Sequence, residues 1–409
     1  MTMTQSSLTP ASPAPQRASA RSILEVVDAD ARLDDAESAM IDQVRRLVET
    51  RIAPRAAGYD ESGDFPRENM ADINALGLNT MFLPEDYGGA PLSYAAYLFA
   101  LREISSGCAS TGLTWATNFH ATNPIIDSAP PEQLQRFLPV VAEGGLAAIA
   151  ITEASGGSDA TAMSTRFVPD GDEVIIQGEK LYITNGDVSD MMLVFGKWAP
   201  LGTGKEAISA AVVTGRPVGL EVRRRENKVG HRASSTTMLG YCDVRIPRAN
   251  LIGKPGTGLS ILQTGLNKSR PSVAAHLLGI AQAAIFDMLA YGAERKIRGR
   301  PVTSYQTAQF KVAEVISAFV LCNTLMWRVA RMEDPFAPEF GILSGMLKLR
   351  ASEVATLATE ASLQMHGGAG YCREFRAERL WRDARLGPVG EGASEMLLDL
   401  LGRSLTRTA

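Results

Sequence analysis

Leu146-Ala147-Ala148-Ile149-Ala150-Ile151-Thr152 is the stretch that decides the fold class. It is a short apolar run of strand length that opens into a turn, Glu153-Ala154-Ser155-Gly156-Gly157-Ser158-Asp159, and it stands where more than a hundred residues of helical periodicity give way to a β texture. Further β-prone runs follow at Val174–Gln177, Met191–Phe195, Ala210–Thr214 and Tyr241–Ile246, punctuated by turn signals such as Asp170-Gly171-Asp172 and Gly215-Arg216-Pro217. Together they predict a β domain over residues 146–254. No strand–helix alternation accompanies these runs and no G-x-G-x-x-G follows one of them, so a doubly wound dinucleotide-binding sheet is disfavoured.

Upstream of that run the sequence reads as helices. Met40, Ile41, Val44, Leu47 and Val48 recur at three- and four-residue spacing, with Pro54 expected to end the run. Leu83-Pro84-Glu85-Asp86-Tyr87-Gly88-Gly89 is a turn-rich interruption, and helices resume through Tyr97, Leu98 and Leu101 and again from Gly112 to Phe119. This predicts a helical domain over 23–145, preceded by a tail at 1–22 whose Ser, Thr, Pro and Ala content predicts disorder. Downstream, residues 255–409 read as a helical bundle. A proline inside a helix costs about 3 kcal/mol, so a break is expected at Pro271, with a long helix from there to about Lys296. Further helices are predicted at about 305–333 and 338–365, the latter stopping at Gly367-Gly368, with a last one after Glu391.

Composition narrows the function. The chain of 409 residues has a formal charge of −4 with acids and bases interspersed, which argues against a nucleic-acid or anionic-membrane surface as main partner. Cys108, Cys242, Cys322 and Cys372 match neither a disulfide framework nor a C-x-x-C metal site, and the N-terminus has no continuous apolar segment; the expectation is a cytoplasmic protein with reduced thiols and no membrane insertion. His120, His231, His276 and His366 share no metal-ligand spacing, so no metal site is expected and all four read as structural or surface groups.

Chemistry gathers in a few segments. Gly387-Pro388-Val389-Gly390-Glu391-Gly392-Ala393-Ser394 is a glycine-rich turn with one carboxylate before an apolar helical run; glycines on both sides let a ligand approach closely. Standing alone, such a carboxylate does no more than complement the helix dipole. The 152–159 turn offers hydroxyls and amides suited to a phosphate or a polar ring edge. Tyr182-Ile183-Thr184-Asn185-Gly186 puts an aromatic and a hydroxyl on one face of an extended segment. Lys228–Thr236 and Asn267-Lys268-Ser269-Arg270 add cations and hydroxyls.

In their order and separations these segments resemble the acyl-CoA dehydrogenase family, from about residue 35 to 405. The resemblance rests on Leu83–Gly89, Thr152–Asp159, Tyr182–Gly186, Arg232–Thr236, Arg270-Pro271, Glu294-Arg295-Lys296, Gln364 with Gly367-Gly368, and Gly390-Glu391-Gly392. It implies a mainly α fold with a central β domain: an N-terminal helical domain, a middle β-barrel and a C-terminal four-helix bundle. It also implies FAD held between the β domain, the bundle and a neighbouring subunit. By position, Ile151, Thr152, Ser158, Tyr182, Ile183 and Thr184 would hold the flavin and its pyrophosphate, Thr184 donating to flavin N5. Arg295, Gln306, Gln364, Gly367 and Gly368 would reach the FAD of an adjacent subunit, and Ala393 and Glu395 complete the cofactor set. Ser158, Asn267, Arg270 and Gly392 would contact the thioester and its arm.

Glu391 matches the family's base. The implied reaction removes the proton alpha to a thioester carbonyl while the beta hydrogen leaves as hydride to the flavin, giving a trans-2-enoyl thioester. An alpha carbon is too weak an acid unaided, so donors must hold the carbonyl oxygen where enolate charge develops. Exclusion of water by the acyl chain would strengthen the carboxylate as a base. The partners implied are an acyl thioester on CoA or a carrier protein, an electron-transfer flavoprotein or other acceptor, and copies of the chain in a tetramer, a dimer of dimers. An oxygen-using oxidase on the same scaffold and a non-catalytic flavin-containing binding protein are the alternatives. Trp115 and Phe119 fit either a shortened acyl pocket, for short or branched chains, or simple core packing.

Overall fold

The structure, a computed structural model, describes residues 19–406. Of the tail expected over 1–22, residues up to 18 lie outside the described chain. The remainder is helical: Ser19 accepts from the Ser22 amide while the Ser22 hydroxyl accepts from the Ser19 amide, a reciprocal cap that starts helix α1 (Ala20–Asp28). At its far end Asp28 accepts from Arg102, Asn323 and Trp327, which ties the segment to the core and explains why it is not loose. Pro54 does not end the next helix. After α2 (Asp35–Leu47) the chain widens into a π-helical turn, Val48–Ile52, whose bonding runs from the Ala53 amide back to the Val48 carbonyl; α3 (Ala53–Ser62) continues with Pro54 as its second residue. The widened turn accommodates a residue that has no N–H to give.

α4 (Arg67–Ala75), α5 (Tyr94–Gly107), α6 (Ala109–Ser128) and α7 (Pro131–Ala142) complete the first helical region, with a short 3-10 turn at Glu85–Tyr87 in the predicted interruption. Nearly every side chain of α5 and α6 is buried, which makes these two helices core on all sides and the natural place for polar groups to be enclosed.

Eight strands form one sheet in the order β6-β7-β3-β2-β4-β5-β8, with β1 paired to β4. They are β1 (Ala147–Ala150), β2 (Arg166–Asp170), β3 (Glu173–Thr184), β4 (Met191–Trp198), β5 (Ile208–Thr214), β6 (Leu220–Arg225), β7 (Thr236–Pro247) and β8 (Leu251–Ile252). One face packs Met191, Leu193 and Phe195 against Ile125, Phe137 and Leu138 of α6 and α7. The other closes on the sheet's own residues, among them Ala148, Phe167, Ile176, Val194 and Leu239. β1 and β2 both run parallel to β4 and take the same edge, β1 at Met191–Val194 and β2 at Lys197–Trp198, so residues 151–165 must loop out between them. β2 and β6 were not evident in the sequence. β6, Leu-Glu-Val-Arg-Arg-Arg, is a largely exposed edge whose charges leave no apolar alternation to read.

The bundle comprises α8 (Gly258–Glu294), α9 (Gln306–Ala330), α10 (Pro338–His366), α11 (Ala377–Ala384) and α12 (Ser394–Leu405), with a small hairpin of β9 (Lys296–Ile297) and β10 (Arg300–Pro301) after α8. The break expected at Pro271 is absent: α8 is a single helix of 37 residues with Pro271 buried inside it. Packing overrides the lost hydrogen bond, because α8 runs through the core against α5, α6 and α10. The approach is close enough at Gly279 that a Cβ there would lie 2.3 Å from the Arg102 carbonyl oxygen. By length and composition α8 and α9 would each suffice to cross a membrane. In α8 that apolar surface is spent inside the bundle, whereas α9 keeps Phe310 and Leu321 exposed.

Candidate active site

Glu391 sits in the turn between α11 and α12 with φ of 52°, a left-handed conformation that a non-glycine residue adopts only when its surroundings impose it, and Gly392 follows at 94°. What imposes it is Lys348. Its ammonium, wholly enclosed on α10, donates to the Gly387 carbonyl at 2.8 Å and the Gly392 carbonyl at 2.6 Å, clamping the turn on both sides of Glu391. Burial pushes the Lys348 ammonium down to about 8, against the pull of Glu391 and with a further push from Arg270. The Glu391 side chain is 25% exposed. One carboxylate oxygen accepts from the Ser269 hydroxyl at 3.2 Å; the other stands 3.8 Å from Nδ1 of His120. Arg270, one residue past Ser269 on α8, donates to Asn267 at 3.0 Å and is itself depressed by burial, an effect the Glu391 charge opposes.

The β domain supplies the second half. The Leu181 amide donates to the Thr152 carbonyl and the Lys180 ammonium to the Ile151 carbonyl, so the turn after β1 and the end of β3 lie side by side. Lys180, fully buried, also pairs with Glu153 at 2.7 Å. Burial pushes the Glu153 carboxyl up, but the Lys180 ammonium and hydrogen bonds from Lys180, Ser164 and Thr165 hold it down at about 2. The β3–β7 register slips between Lys180 and Ile183, where Tyr182 has φ of 58° and leaves its ring 62% exposed. Thr152 and Thr184 are half-buried and Ser158 is exposed; among the described residues no side-chain partner takes their hydroxyls.

Helix α6 spans the two halves. Asn185, just past Thr184, donates to the Thr114 carbonyl on α6 and to the Ala147 carbonyl on β1. Six residues further, about 9 Å along the helix, His120 faces Glu391. The residues predicted to serve a neighbouring subunit lie elsewhere. Arg295 begins the hairpin after α8, and Gly292 packs beside Thr303 and Met365, which brings the exposed Gln306, Gln364, Gly367 and Gly368 to that same end of the bundle. Arg295 is 26 residues beyond Ser269, about 39 Å along α8, and so stands far from its own protomer's Glu391.

Three family models match in chain order: the acyl-CoA dehydrogenase N-terminal domain over residues 34–145, the middle domain over 148–244 and the C-terminal domain over 256–406. The chain belongs to the acyl-CoA dehydrogenase family. It is an oxidoreductase of that family, 38% identical over 357 residues to the mitochondrial short-chain specific acyl-CoA dehydrogenase of Bos taurus, covering 86% of this chain and 85% of that one. Among solved structures it is similar to the butyryl-CoA dehydrogenase of Megasphaera elsdenii (TM-score 0.88, 29% identity, covering 92% of this chain and 99% of the other). It is also similar to a glutaryl-CoA dehydrogenase of Mycobacterium smegmatis in complex with FADH2 (TM-score 0.86, 27% identity, 95% and 98% covered). The hydroxyls at Thr152 and Thr184 and the projecting Tyr182 ring fit such a flavin: they present donors and an aromatic face on a rigid edge, and among the described residues no side chain satisfies those hydroxyls.

Two groups around Glu391 escaped the sequence reading. Lys348 carries the signal of a lysine amid buried neighbours on α10, Ser344, Leu347, Ala351 and Ser352, which only a packed structure reveals as an inward face. The histidines are the other case. None lies at the surface: His120 faces Glu391, while His276 accepts or donates to Ser105 at 2.8 Å and to His231 at 2.8 Å. His231, in a left-handed turn, has its backbone amide bonded to Asp383 at 2.5 Å, tying the β domain to α11. His366 stacks on Tyr291 with ring centroids 4.2 Å apart.

Proposed function

We propose that this chain binds FAD and oxidises a short acyl thioester between its α and β carbons, with Glu391 removing the α-proton. The observation that supports this most is a clamped, partly exposed carboxylate held in a strained turn beside glycines, next to a β edge of unpartnered hydroxyls. When bound, FAD would supply the acceptor for the β hydrogen and its electron pair. Thr152, Ser158, Tyr182 and Thr184 would hold it, with Ile151 and Ile183 at its edge and Ala393 and Glu395 near the turn. Glu391 offers a base on one side of the substrate, and its own backbone amide, beside Gly392, offers a donor where carbonyl charge grows. Lys348 keeps the two in fixed relation by holding the carbonyls at 387 and 392. Arg270, Asn267 and Ser158 would meet the thioester arm.

We read a short acyl group from the aromatic wall. Phe82, Tyr94, Tyr97 and Phe119 pack edge-on and stacked, Tyr97 and Phe119 only 4.4 Å apart, and they line a cavity of about 270 Å³ whose lining includes neither Glu391 nor His120. Phe119 thus forms part of that wall, while Trp115 is buried behind it and bonded to Asn79. The short-chain and butyryl-CoA relatives support the same length. The test is anaerobic mixing of the flavin-loaded protein with butyryl-, isobutyryl-, hexanoyl- and palmitoyl-CoA. Bleaching of the flavin's visible absorbance fastest with a four-carbon thioester is expected; no bleaching by any of them would refute the reading. Relatives named as dehydrogenases support a carrier flavoprotein, rather than oxygen, as the electron acceptor.

We further infer a shared cofactor site in a tetramer, a dimer of dimers. Arg295, Gln306 and Gln364 form an exposed set too far from their own Glu391 to serve it, and a guanidinium suits a pyrophosphate through two charge-assisted hydrogen bonds. Arg295→Glu should lower flavin content and the assembled fraction together, as read by absorbance ratio and sedimentation. Full flavin content in an unchanged oligomer would contradict it.

A further inference from the structure

Behind Glu391 lies a line of polar groups that α-proton removal itself does not require. His120 Nε2 is 2.9 Å from the Ser272 hydroxyl, and that hydroxyl is 2.8 Å from the Tyr97 hydroxyl. All three residues are buried, on α6, α8 and α5 respectively, among aromatic side chains such as Phe119 and Trp115 and other buried polar groups such as Asn123 and His276. Tyr97 also lines the cavity that includes Lys268 and the exposed Glu333. The line therefore starts at the carboxylate and ends at the wall of a separate cavity. Burial lowers His120, opposed by the Glu391 charge, and lowers its neighbour His276 as well, so the imidazole is neutral and offers one donor and one acceptor.

We propose that His120, Ser272 and Tyr97 form a proton wire that takes the α-proton from Glu391 to the cavity, resetting the base while the thioester still covers it. The proposal rests on Glu391 being the base. In one polarity Tyr97 donates to Ser272, Ser272 to His120 Nε2, and Nδ1–H faces an ionised Glu391. In the other, His120 Nε2–H donates to Ser272, Ser272 donates to Tyr97, and the Nδ1 lone pair faces a protonated Glu391. These two polarities are the end points of a single transfer. Glu391 gives its proton to Nδ1, Nε2 gives one to Ser272, Ser272 gives one to Tyr97, and Tyr97 gives one to water or the Glu333 carboxylate in the cavity. One proton leaves, and the wire finishes in the arrangement that suits the ionised base. The 3.8 Å gap between Nδ1 and Glu391 is longer than a hydrogen bond, and a carboxylate rotation of about 1 Å closes it, as catalytic contacts commonly tighten once substrate is bound.

The test takes the CoA thioester that bleaches the flavin fastest among butyryl-, isobutyryl- and hexanoyl-CoA and incubates it anaerobically in D2O with excess flavin-loaded enzyme, so that it stays bound. Mass spectrometry reads α-deuterium entering the thioester, and stopped flow reads bleaching in the same solvent. The ratio of exchange rate to bleaching rate should fall at least tenfold in His120→Leu and in the near-isosteric Tyr97→Phe, which keeps the core even if the first variant folds poorly. A purely structural role lowers both rates and leaves the ratio alone. An unchanged ratio in Tyr97→Phe, with exchange abolished in Glu391→Gln, would overturn the wire and leave the base standing. Exchange at the wild-type rate in Glu391→Gln would overturn the base reading instead.

Discussion

The two halves of the candidate site are built on opposite plans. On the β side, the turn after β1 and the end of β3 are pinned by a fully enclosed ion pair, Glu153–Lys180, and by main-chain bonds between the two segments. On the α side, Glu391 stands in a left-handed turn held by one ammonium, with a side chain that still reaches solvent. The first plan suits a group that must hold a large ligand in one place. The second suits a carboxylate that must swing between its neighbours Ser269 and His120 and a substrate carbon, yet return to the same position.

Breaking the rigid half should have the largest effect. Glu153→Gln strands the Lys180 charge in the interior, and removing one partner of a buried pair costs about 3–5 kcal/mol. Thermal or denaturant unfolding of this variant should show a loss of that size, together with loss of flavin. The same pair gives a pH signature. The folded carboxyl is held below its ordinary value, at about 2, so its contribution is complete above the unfolded value of 4.5 and fades as pH falls from there toward 2. Unfolding followed down through that window should show stability falling in the wild type and a flatter course in Glu153→Gln.

The clamped half should respond in rate more than in stability. Lys348→Met removes the donor to two carbonyls but also removes a charge that was costly to bury, so unfolding should change by only about 1–3 kcal/mol. A turn free to drift by about 1 Å should lose roughly 10²-fold in the rate of flavin bleaching by butyryl-CoA. A smaller effect is expected at the β edge: Thr184→Val should slow bleaching by about tenfold, the worth of one hydrogen bond of about 1.4 kcal/mol, with little change in thioester affinity. A variant that binds thioester poorly but bleaches at the normal rate would place Thr184 on the substrate rather than on the flavin.

The contrast between the halves also governs what could be read from the sequence. The β edge was legible because its parts are local: a strand, a turn of small polar residues, and an aromatic two positions before a hydroxyl announce themselves within a few residues. Three helical and β regions were legible from periodicity for the same reason. The surroundings of Glu391 were not. Ser269 lies 122 positions away in sequence, and His120, Ser272 and Lys348 come from three different helices, so nothing in their local context marks them as neighbours of a carboxylate. Pro271 and Pro54 misled in a related way. Their local cost is real, but in α8 a surrounding core outweighs it, and in α3 a widened turn absorbs it.

The most direct test of the whole account is single-turnover bleaching in Glu391→Gln. The isostere keeps the turn's shape and removes the base, so the variant should purify with full flavin content and an unchanged fold, and bleach with butyryl-CoA about 10³-fold more slowly than wild type, within the range that positioned acid–base groups contribute. A variant that bleaches within tenfold of the wild-type rate would contradict the claim that Glu391 takes the α-proton.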